Sequence, residues 1–508
     1  MAHAAERGAG CFQLGCSSAD ASLLTAGAGV TYGTEHGLSS KAHPDSDADS
    51  VEDRMADKTM SWPVAAWAIN ASVIGMGVLT IPRCFVTLGW VCSFLALLVC
   101  FSANVLVASV MQEIQLEHPR AISLADAVEI AFGGSRRAKF GVRLLLYSEK
   151  WACTCAYVRL MAKTLGSAFY TVHWCEAAWC GIVILLFMPL MRVRNIQETH
   201  WMNVVNFTTI TCALLITCLG LRHVVPEEPP VTHWHPAASG FGEFFGAISM
   251  MVFAFSGNWM YFELMAEMDR PQDFLRAFTI AGPTQVGMYC VTGIAGYVTF
   301  GQAVPFSIMD TLQFGLPMRL AALFLAVHVM AGTGTNSVIL ARFFHSRISP
   351  KDVNEDTPRA QMIRFGIYLV MFGSCAIISL TVESFGSLIS LIGAMFEAPI
   401  SFILPMATYA AILRQRPQRE GLTLHSVCFF TACAAIVAFG VLTTGFGVVH
   451  ALQGFHASRG ISFACSCADM WDSCECSPQR MPVGTCAAVV SALDARRPGA
   501  VPVPVAHF

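Results

Sequence analysis

The residues Asn70-Ala-Ser-Val-Ile-Gly75-Met-Gly77-Val-Leu-Thr-Ile-Pro82 place two glycines and a proline inside a long apolar run. Glycine and proline both oppose a continuous helix, glycine through its backbone freedom and proline through its missing N–H. The apolar run, residues 62–84, is roughly 20 residues or more in length, which is enough to cross about 30 Å of hydrocarbon. We therefore predict a membrane-spanning helix that is interrupted near its middle.

Similar apolar runs follow one another along the chain. Of the 508 residues, 55% are hydrophobic and 13% are charged, against about 25% charged in an ordinary soluble domain. A bilayer can cover that much apolar surface, so we predict an all-α integral membrane protein. A barrel would instead show alternating segments of about ten residues. About eleven transmembrane helices are predicted, near residues 62–84, 88–112, 142–171, 177–194, 201–221, 242–266, 277–300, 318–341, 361–382, 385–413 and 424–450.

The loops between these runs differ in their Lys and Arg content. Basic residues favour the cytosolic side of a membrane. With a cytosolic N-terminus, the loops on that side carry most of the basic residues, and the opposite loops carry only Arg83, Arg222 and Arg319. The bias predicts a cytosolic N-terminus and is consistent with eleven spans.

Residues 1–60 and 451–508 differ in composition from the predicted transmembrane domain, residues 61–450. The first segment is rich in Ala, Gly, Ser and Asp, without periodicity or a signal peptide, and is predicted to be a disordered cytosolic tail. The second is a polar tail that contains Pro and Cys. Its cysteines form C-x-C pairs and lack the C-x-x-C spacing of zinc sites, so no metal site is predicted.

A second interrupted run, Phe253-Ala-Phe-Ser-Gly-Asn258, lies in the sixth predicted helix. It is five helices after the first, so the two breaks occupy matching positions of two possible halves. Interrupted segments in matching positions point to a transporter binding site. Unwinding frees N–H and C=O groups that lipid cannot satisfy and a polar substrate can. The alternative is that these glycines only let helices pack closely, and the residues alone leave both open.

Four groups of residues resemble motifs of the amino acid/auxin permease family. This chain matches four features of the family in order. They are a G-x-G-x-L-x-x-P stretch with a G-W pair, an FAF-x-G-H and EM-x-x-P-x-x-F region, a G-Y-L-x-F-G motif and the tenth helix. The matching residues are 75–82 with 89–90, 253–258 with 267–274, 296–301, and 391–393 with prolines 399 and 405. One departure is Asn258, where many members carry His.

The resemblance implies a LeuT-like inverted repeat of five plus five helices with one extra helix. It also implies transport of amino acids, here neutral ones, usually coupled to H⁺ or Na⁺. The substrate carboxylate is then expected at the amides of the first break and its ammonium group at the carbonyls of the second. The substrate-binding residues so implied are Ile74, Gly75, Met76, Gly77, Phe253, Phe255, Ser256, Gly257 and Asn258.

The resemblance, which includes sodium-coupled members, also implies three uncharged candidates for binding a coupling sodium ion. Asn70 lies just before the first break, and Thr333 and Thr335 lie on the eighth predicted helix. The alternative for both threonines is a hydrogen bond back to their own helix.

Ionisable residues inside a span are candidates for function by default. Glu149 and Lys150 could relay a proton or replace a sodium ion with a fixed charge, unless they reach the cytosolic interface instead. His328 could titrate near neutral pH, unless it is a core histidine with satisfied hydrogen bonds. Glu397 in the tenth helix has the same two alternatives as His328, a functional ionisable group or a core residue with satisfied hydrogen bonds.

Several function classes lack their motifs. No P-loop, H-E-x-x-H or nucleophile elbow is found, so neither an enzyme nor an ATP-driven pump is predicted, and no cofactor. The net charge of −3 predicts no nucleic-acid partner.

The predicted function is secondary active transport of amino acids, in the plasma membrane or a vacuole- or lysosome-like organelle. The predicted partners are the amino acid, the coupling cation and the lipid bilayer. The alternative is a membrane sensor that binds an amino acid and signals without net transport.

Overall fold

The computed structural model describes residues 60–172, 174–192, 199–224, 229–353, 355, 357–382, 385–416 and 424–457. The tails predicted at 1–60 and 451–508 lie outside these residues, apart from Met60 and the end of the last helix. That helix continues to Ala457, beyond the predicted boundary at 450. The described residues are helical, joined by loops and one isolated backbone bridge between Met60 and Met268.

The described residues form α-helices that we number in chain order. They are α1 Trp62–Val73, α2 Ile81–Glu117, α3 Leu124–Ala131, α4 Arg136–Ala168, α5 Glu176–Phe187, α6 Thr199–Gly220, α7 Phe241–Ala254, α8 Tyr261–Glu267, α9 Phe274–Phe300, α10 Leu316–Ile348, α11 Pro358–Thr381, α12 Phe385–Ile392, α13 Leu404–Gln415 and α14 Leu424–Ala457. Two π-helical turns, Gly393–Glu397 and Pro399–Ile403, connect α12 to α13.

Six helical segments among the described residues are long and apolar enough to cross a membrane. They are Met76–Glu117, Asn203–His223, Leu316–Ile348, Pro358–Thr381, Phe385–Gln415 and Val427–Phe455. The number eleven stays a prediction. Some of the other predicted spans contain α1 and α7, which have 12 and 14 residues and are each too short to cross alone, or α4, which carries charged residues along its length.

The first predicted span is broken where its glycines are. Helix α1 stops at Val73, Ile74 and Gly75 are not helical, and a 3₁₀ helix over Met76–Thr80 leads directly into α2. Helix α2 then runs through the second predicted span with a kink at Gly89, whose φ is +70°. The helix is therefore continuous over residues 85–87, where the two spans were predicted to separate. It changes direction at Gly89 instead, at a positive φ that glycine adopts without a steric penalty.

The 230–238 segment, which precedes α7, crosses over this kink. The amides of Trp90 and Val91 donate to the carbonyls of His233 and Trp234 at 3.0 and 3.2 Å. Main-chain atoms make both hydrogen bonds, so they hold the segment against α2 whatever its side chains are.

A similar main-chain contact joins the ends of the two broken spans. The Met60 amide donates to the Glu267 carbonyl at 3.1 Å, and the Asp269 amide donates to the Met60 carbonyl at 3.0 Å. Residue 60 precedes α1, and residues 267–269 are the last residue of α8 and the two that follow it. The two spans that contain the glycine motifs are thus tied together at one end.

Candidate functional site

The second break separates α7 from α8. Helix α7 ends at Ala254, and a 3₁₀ helix over Asn258–Met260 precedes α8. The Ser256 amide donates to the Phe253 carbonyl at 3.2 Å, and the Ser256 hydroxyl donates to the same oxygen at 2.8 Å. That carbonyl, which was predicted to bind the substrate ammonium group, already accepts two hydrogen bonds.

The two breaks lie directly against each other. A Cβ atom added at Gly77 would lie 2.6 Å from the Ala254 Cα atom, in the last turn of α7. A Cβ atom added at Gly257 would lie 2.5 Å from a Val73 methyl group, in the last turn of α1. Each break therefore places a glycine against the helix end of the other. The absence of a side chain at Gly77 and Gly257 thus allows close helix packing, which was the alternative interpretation of these glycines. The same packing brings the two interrupted segments together.

Tyr289 of α9 joins the two helix ends and was not singled out in the sequence. Its hydroxyl donates to the Ala254 carbonyl and lies 3.4 Å from the Val73 carbonyl. Those carbonyls belong to the last turns of α7 and α1, where the helical hydrogen-bond pattern stops. Tyr289 is fully buried, on a face of α9 that also buries Gln285 and Thr292. A buried tyrosine usually needs a hydrogen-bond partner for its hydroxyl.

Tyr289→Phe is expected to lower the free energy of unfolding by about 1–3 kcal/mol, because it leaves a buried carbonyl without a donor. Thermal unfolding of the purified protein in detergent measures this change. Tyr261→Phe is the matched control, since Tyr261 is equally buried and packs through its ring against Phe274 and Phe278. Equal destabilisation by both substitutions would contradict a special role for the Tyr289 hydroxyl.

Gly75 differs from the two packing glycines. A Cβ atom added there would meet only the His328 Nε2 atom at 3.7 Å and the Tyr157 hydroxyl at 3.8 Å. Within the described chain, no acceptor pairs with the amides of Gly75, Met76 and Gly77. The first break thus presents main-chain donors beside an aromatic hydroxyl and an imidazole.

Asn206 of α6 holds the imidazole in place. Its side-chain amide donates to the Ala71 carbonyl at 2.8 Å, and its main-chain carbonyl accepts from His328 Nδ1 at 3.1 Å. The His328 Nε2 atom is buried and has no hydrogen-bond partner. Because Nδ1 carries the proton in this pairing, the Nε2 lone pair points toward Gly75. His328 is therefore only half satisfied as a core residue.

The three sodium candidates have different surroundings. The Asn70 Oδ1 atom accepts from Gln285 of α9 at 3.2 Å, and the Asn70 Nδ2 atom has no partner. The Thr335 hydroxyl donates back to the Ala331 carbonyl at 3.3 Å, which is the intrahelical alternative. The Thr333 hydroxyl is buried without a partner. Thr333 thus remains the better candidate of the two threonines.

Glu149 and Lys150 lie within α4 and are buried, which excludes the interfacial alternative. The Lys150 Nζ atom is 2.9 Å from Glu149 Oε2, and the Cys153 thiol donates to Glu149 Oε1 at 2.9 Å. Glu397, in the first π-helical turn, completes the group: one ligand atom each of Glu149, Cys153 and Glu397 lie within 4.8 Å of one another. We call Glu149, Lys150, Cys153 and Glu397 the acid cluster.

The acid cluster contacts the second break. The Ser256 side chain, whose hydroxyl proton is donated to the Phe253 carbonyl, lies next to the Glu397 carboxylate. The Lys150 Nζ atom lies 3.5 Å from the centre of the Trp259 ring, and Asn258 donates to the Ser401 carbonyl of the second π-helical turn at 3.1 Å. Helix α4, the second break and the π-helical turns thus meet at one place.

Residues 58–450 match the family described as "Transmembrane amino acid transporter protein". The chain belongs to this family. The resemblance noted in the sequence is thereby confirmed, and the protein is a multi-pass membrane transporter, not an enzyme.

Two curated relatives and one solved structure are similar to this chain. The N amino acid transport system protein of Neurospora crassa is 24% identical over 440 residues, which are 80% of this chain and 88% of that protein. Amino acid transporter AVT1D of Arabidopsis thaliana is 22% identical over 402 residues, 75% of this chain and 67% of that protein. The structure of Mhp1, a nucleobase-cation-symport-1 family transporter in a closed conformation with bromovinylhydantoin bound, gives a TM-score of 0.48 at 13% identity, covering 82% of this chain and 98% of that one.

Proposed function

We propose that this protein is a secondary active transporter that moves neutral amino acids by alternating access. The substrate binds where the two broken spans cross. One observation carries the proposal. The unpaired amides of Gly75, Met76 and Gly77 lie beside the second break, where carbonyl groups also lack the hydrogen bonds of a regular helix. Both polar ends of an amino acid then find main-chain partners.

The polarity of the helix ends supports this orientation of the substrate. The Gly75–Gly77 amides start the second half of the first span, where the helix dipole favours a carboxylate. The Phe255 and Ser256 carbonyls follow the C-terminal end of α7, where it favours an ammonium group. No donor within the described residues reaches these two carbonyls, whereas the Phe253 carbonyl is occupied by Ser256. Ile74, Gly257 and Asn258 line the crossing as part of the two breaks.

The charges near the crossing favour a neutral substrate. Tyr157 and His328 are the side chains closest to Gly75. Of the two carboxylates of the acid cluster, that of Glu149 is already paired with Lys150. Among the described residues named here, none offers an unpaired opposite charge at Gly75 to a charged substrate side chain. The names of the relatives, which refer to amino acid transport, support the substrate class.

The remaining features of the proposal come from the sequence. The fold is a LeuT-like inverted repeat of five plus five helices with one extra helix, and the N-terminus is cytosolic, as the loop charges favour. The membrane is the plasma membrane or that of a vacuole- or lysosome-like organelle. The coupling ion is H⁺ or Na⁺, with Asn70, Thr333 and Thr335 as sodium candidates and Glu149 and His328 as proton candidates.

Exchange across liposome membranes tests the proposal. Purified protein in liposomes loaded with an unlabelled neutral amino acid should take up the same labelled amino acid from outside. Labelled lysine, glutamate and an unrelated nucleobase should exchange far more slowly. Failure to exchange any member of a broad amino acid panel would contradict the proposal, because exchange needs no ion gradient and only a working substrate site.

A further inference from the structure

The acid cluster contains two buried carboxylates and one ammonium group. Glu149 and Glu397 are 2% and 1% exposed, and Lys150 is 5% exposed. With all three ionised, one negative charge would remain uncompensated in a dry interior, which is strongly unfavourable. Two carboxylates so close together cannot both ionise easily, so one proton on the pair makes the cluster neutral.

A proton fits this cluster better than a metal ion. Hard cations such as Mg²⁺ and Ca²⁺ take six or more oxygen ligands, whereas the cluster offers two carboxylates and a thiol. The Lys150 Nζ atom already lies 2.9 Å from Glu149 Oε2. A metal cation would face the repulsion of that ammonium group at short range. Lys150 thus occupies the place that a bound cation would take.

One proton shared by Glu149 and Glu397, we propose, is the ion that couples to substrate movement. This inference rests on the proposed function and assigns its coupling ion. It also gives Glu397, which the sequence left undecided, a defined role.

The carboxylates contact the element that must move. Ser256, in the second break, lies next to Glu397, and Trp259, in the 3₁₀ helix that follows, contacts Lys150. The Ser256 main-chain carbonyl is also proposed to bind the substrate ammonium group. The shared proton sets the charge of the acid cluster, and that charge acts directly on an ammonium group bound there. Occupancy by substrate and occupancy by a proton therefore influence each other, as linkage requires.

The other ionisable groups that face the cluster are few. Cys153 and Tyr157 lie four and eight residues after Glu149, on the same face of α4. Tyr157 also faces Gly75, so this face of α4 connects the cluster to the first break. The second break contributes the uncharged side chains Ser256, Asn258 and Trp259. Lys150 is thus the one fixed positive charge that faces the two carboxylates in the described residues.

Proton-driven accumulation tests the inference. With the outside of the liposome one pH unit more acidic, transport of one proton with each substrate supports up to about tenfold accumulation. Glu397→Gln keeps the shape of the side chain and cannot ionise. It should lose this accumulation and keep exchange of labelled for unlabelled amino acid, since exchange needs no net proton movement. Glu129→Gln is the matched control, because Glu129 is an ion-paired carboxylate at the end of α3, bonded to Lys139, and should retain full accumulation.

Several results would overturn the inference. These are tenfold accumulation by Glu397→Gln, accumulation by the unaltered protein with a Na⁺ gradient but not with a pH gradient, and loss of exchange as well in folded Glu397→Gln. The last result would make Glu397 part of the substrate site. Absence of exchange in the unaltered protein would instead contradict the proposed function itself.

A spectroscopic measurement covers the case in which Glu397→Gln does not fold. Infrared difference spectra of the purified, unaltered protein should show a protonated carboxyl band that changes when a neutral amino acid is added. Glu149→Gln should alter that band and Glu129→Gln should not. A spectrum without any carboxyl change on substrate addition would overturn the shared proton.

Discussion

Gly257→Leu is expected to abolish amino acid uptake while the protein still inserts into the membrane. Even a Cβ atom at this position would lie 2.5 Å from a Val73 methyl group, so leucine fills the crossing of the two broken spans. Leucine also favours a continuous helix over glycine by about 1 kcal/mol. Insertion should persist, because leucine favours the bilayer interior by about 0.5 kcal/mol on insertion scales.

Uptake into liposomes and the amount of protein in the membrane are measured together. Gly287→Leu is the control, since Gly287 lies on α9 with nothing within 4 Å of an added Cβ atom, and it should keep normal uptake. Gly301 is unsuitable for this purpose: its φ is +54°, and a side chain would meet the main chain of Val231. Poor assembly of Gly257→Leu would mean that Gly257 serves packing alone, and normal uptake would place the substrate elsewhere.

Gly77→Ala is expected to reduce uptake at least about tenfold and to lower the free energy of unfolding by about 1–3 kcal/mol, the usual range for overpacking. The added methyl group would lie 2.6 Å from the Ala254 Cα atom. A main-chain atom cannot move away by changing a rotamer, so the two broken spans must separate. Thermal unfolding in detergent and uptake in liposomes measure the two effects.

Gly75→Ala is the informative comparison for Gly77→Ala. Its methyl group would find no atom closer than 3.7 Å, which is an ordinary contact distance. Gly75→Ala should leave thermal unfolding nearly unchanged and raise the KM for the amino acid, because the methyl group points between His328 and Tyr157. Equal destabilisation by the two alanine variants would show that the crossing is not packed as described.

The features that could be predicted from the sequence are local ones. Apolar runs locate the helices, and glycines within them locate the breaks at Gly75 and Gly257, because both depend on neighbouring residues only. A separation between spans was predicted at residues 85–87, whereas the helix continues there and kinks at Gly89. A single glycine with positive φ changes the direction of a helix without a loop. The hydrophobicity of the sequence therefore cannot distinguish two helices joined by a loop from one kinked helix.

The contacts between distant residues could not be predicted in this way. Glu149 and Glu397 were both recognised as unusual, but nothing in either neighbourhood says that their side chains meet. The π-helical turn that carries Glu397 has no simple residue signature, although such turns are frequent at functional sites. Tyr289 was missed because its role depends on two helix ends from other parts of the chain.

The 230–238 segment has a consequence for making reagents against this protein. Its main chain is fixed to α2 by hydrogen bonds from Trp90 and Val91, while the Trp234 side chain is 70% exposed. A loop that is already ordered loses little conformational entropy when it is bound. An exposed aromatic ring on such a loop offers an antibody fragment a rigid anchor. A fragment raised against this epitope would recognise folded protein and not the denatured chain, and would report on folding during purification.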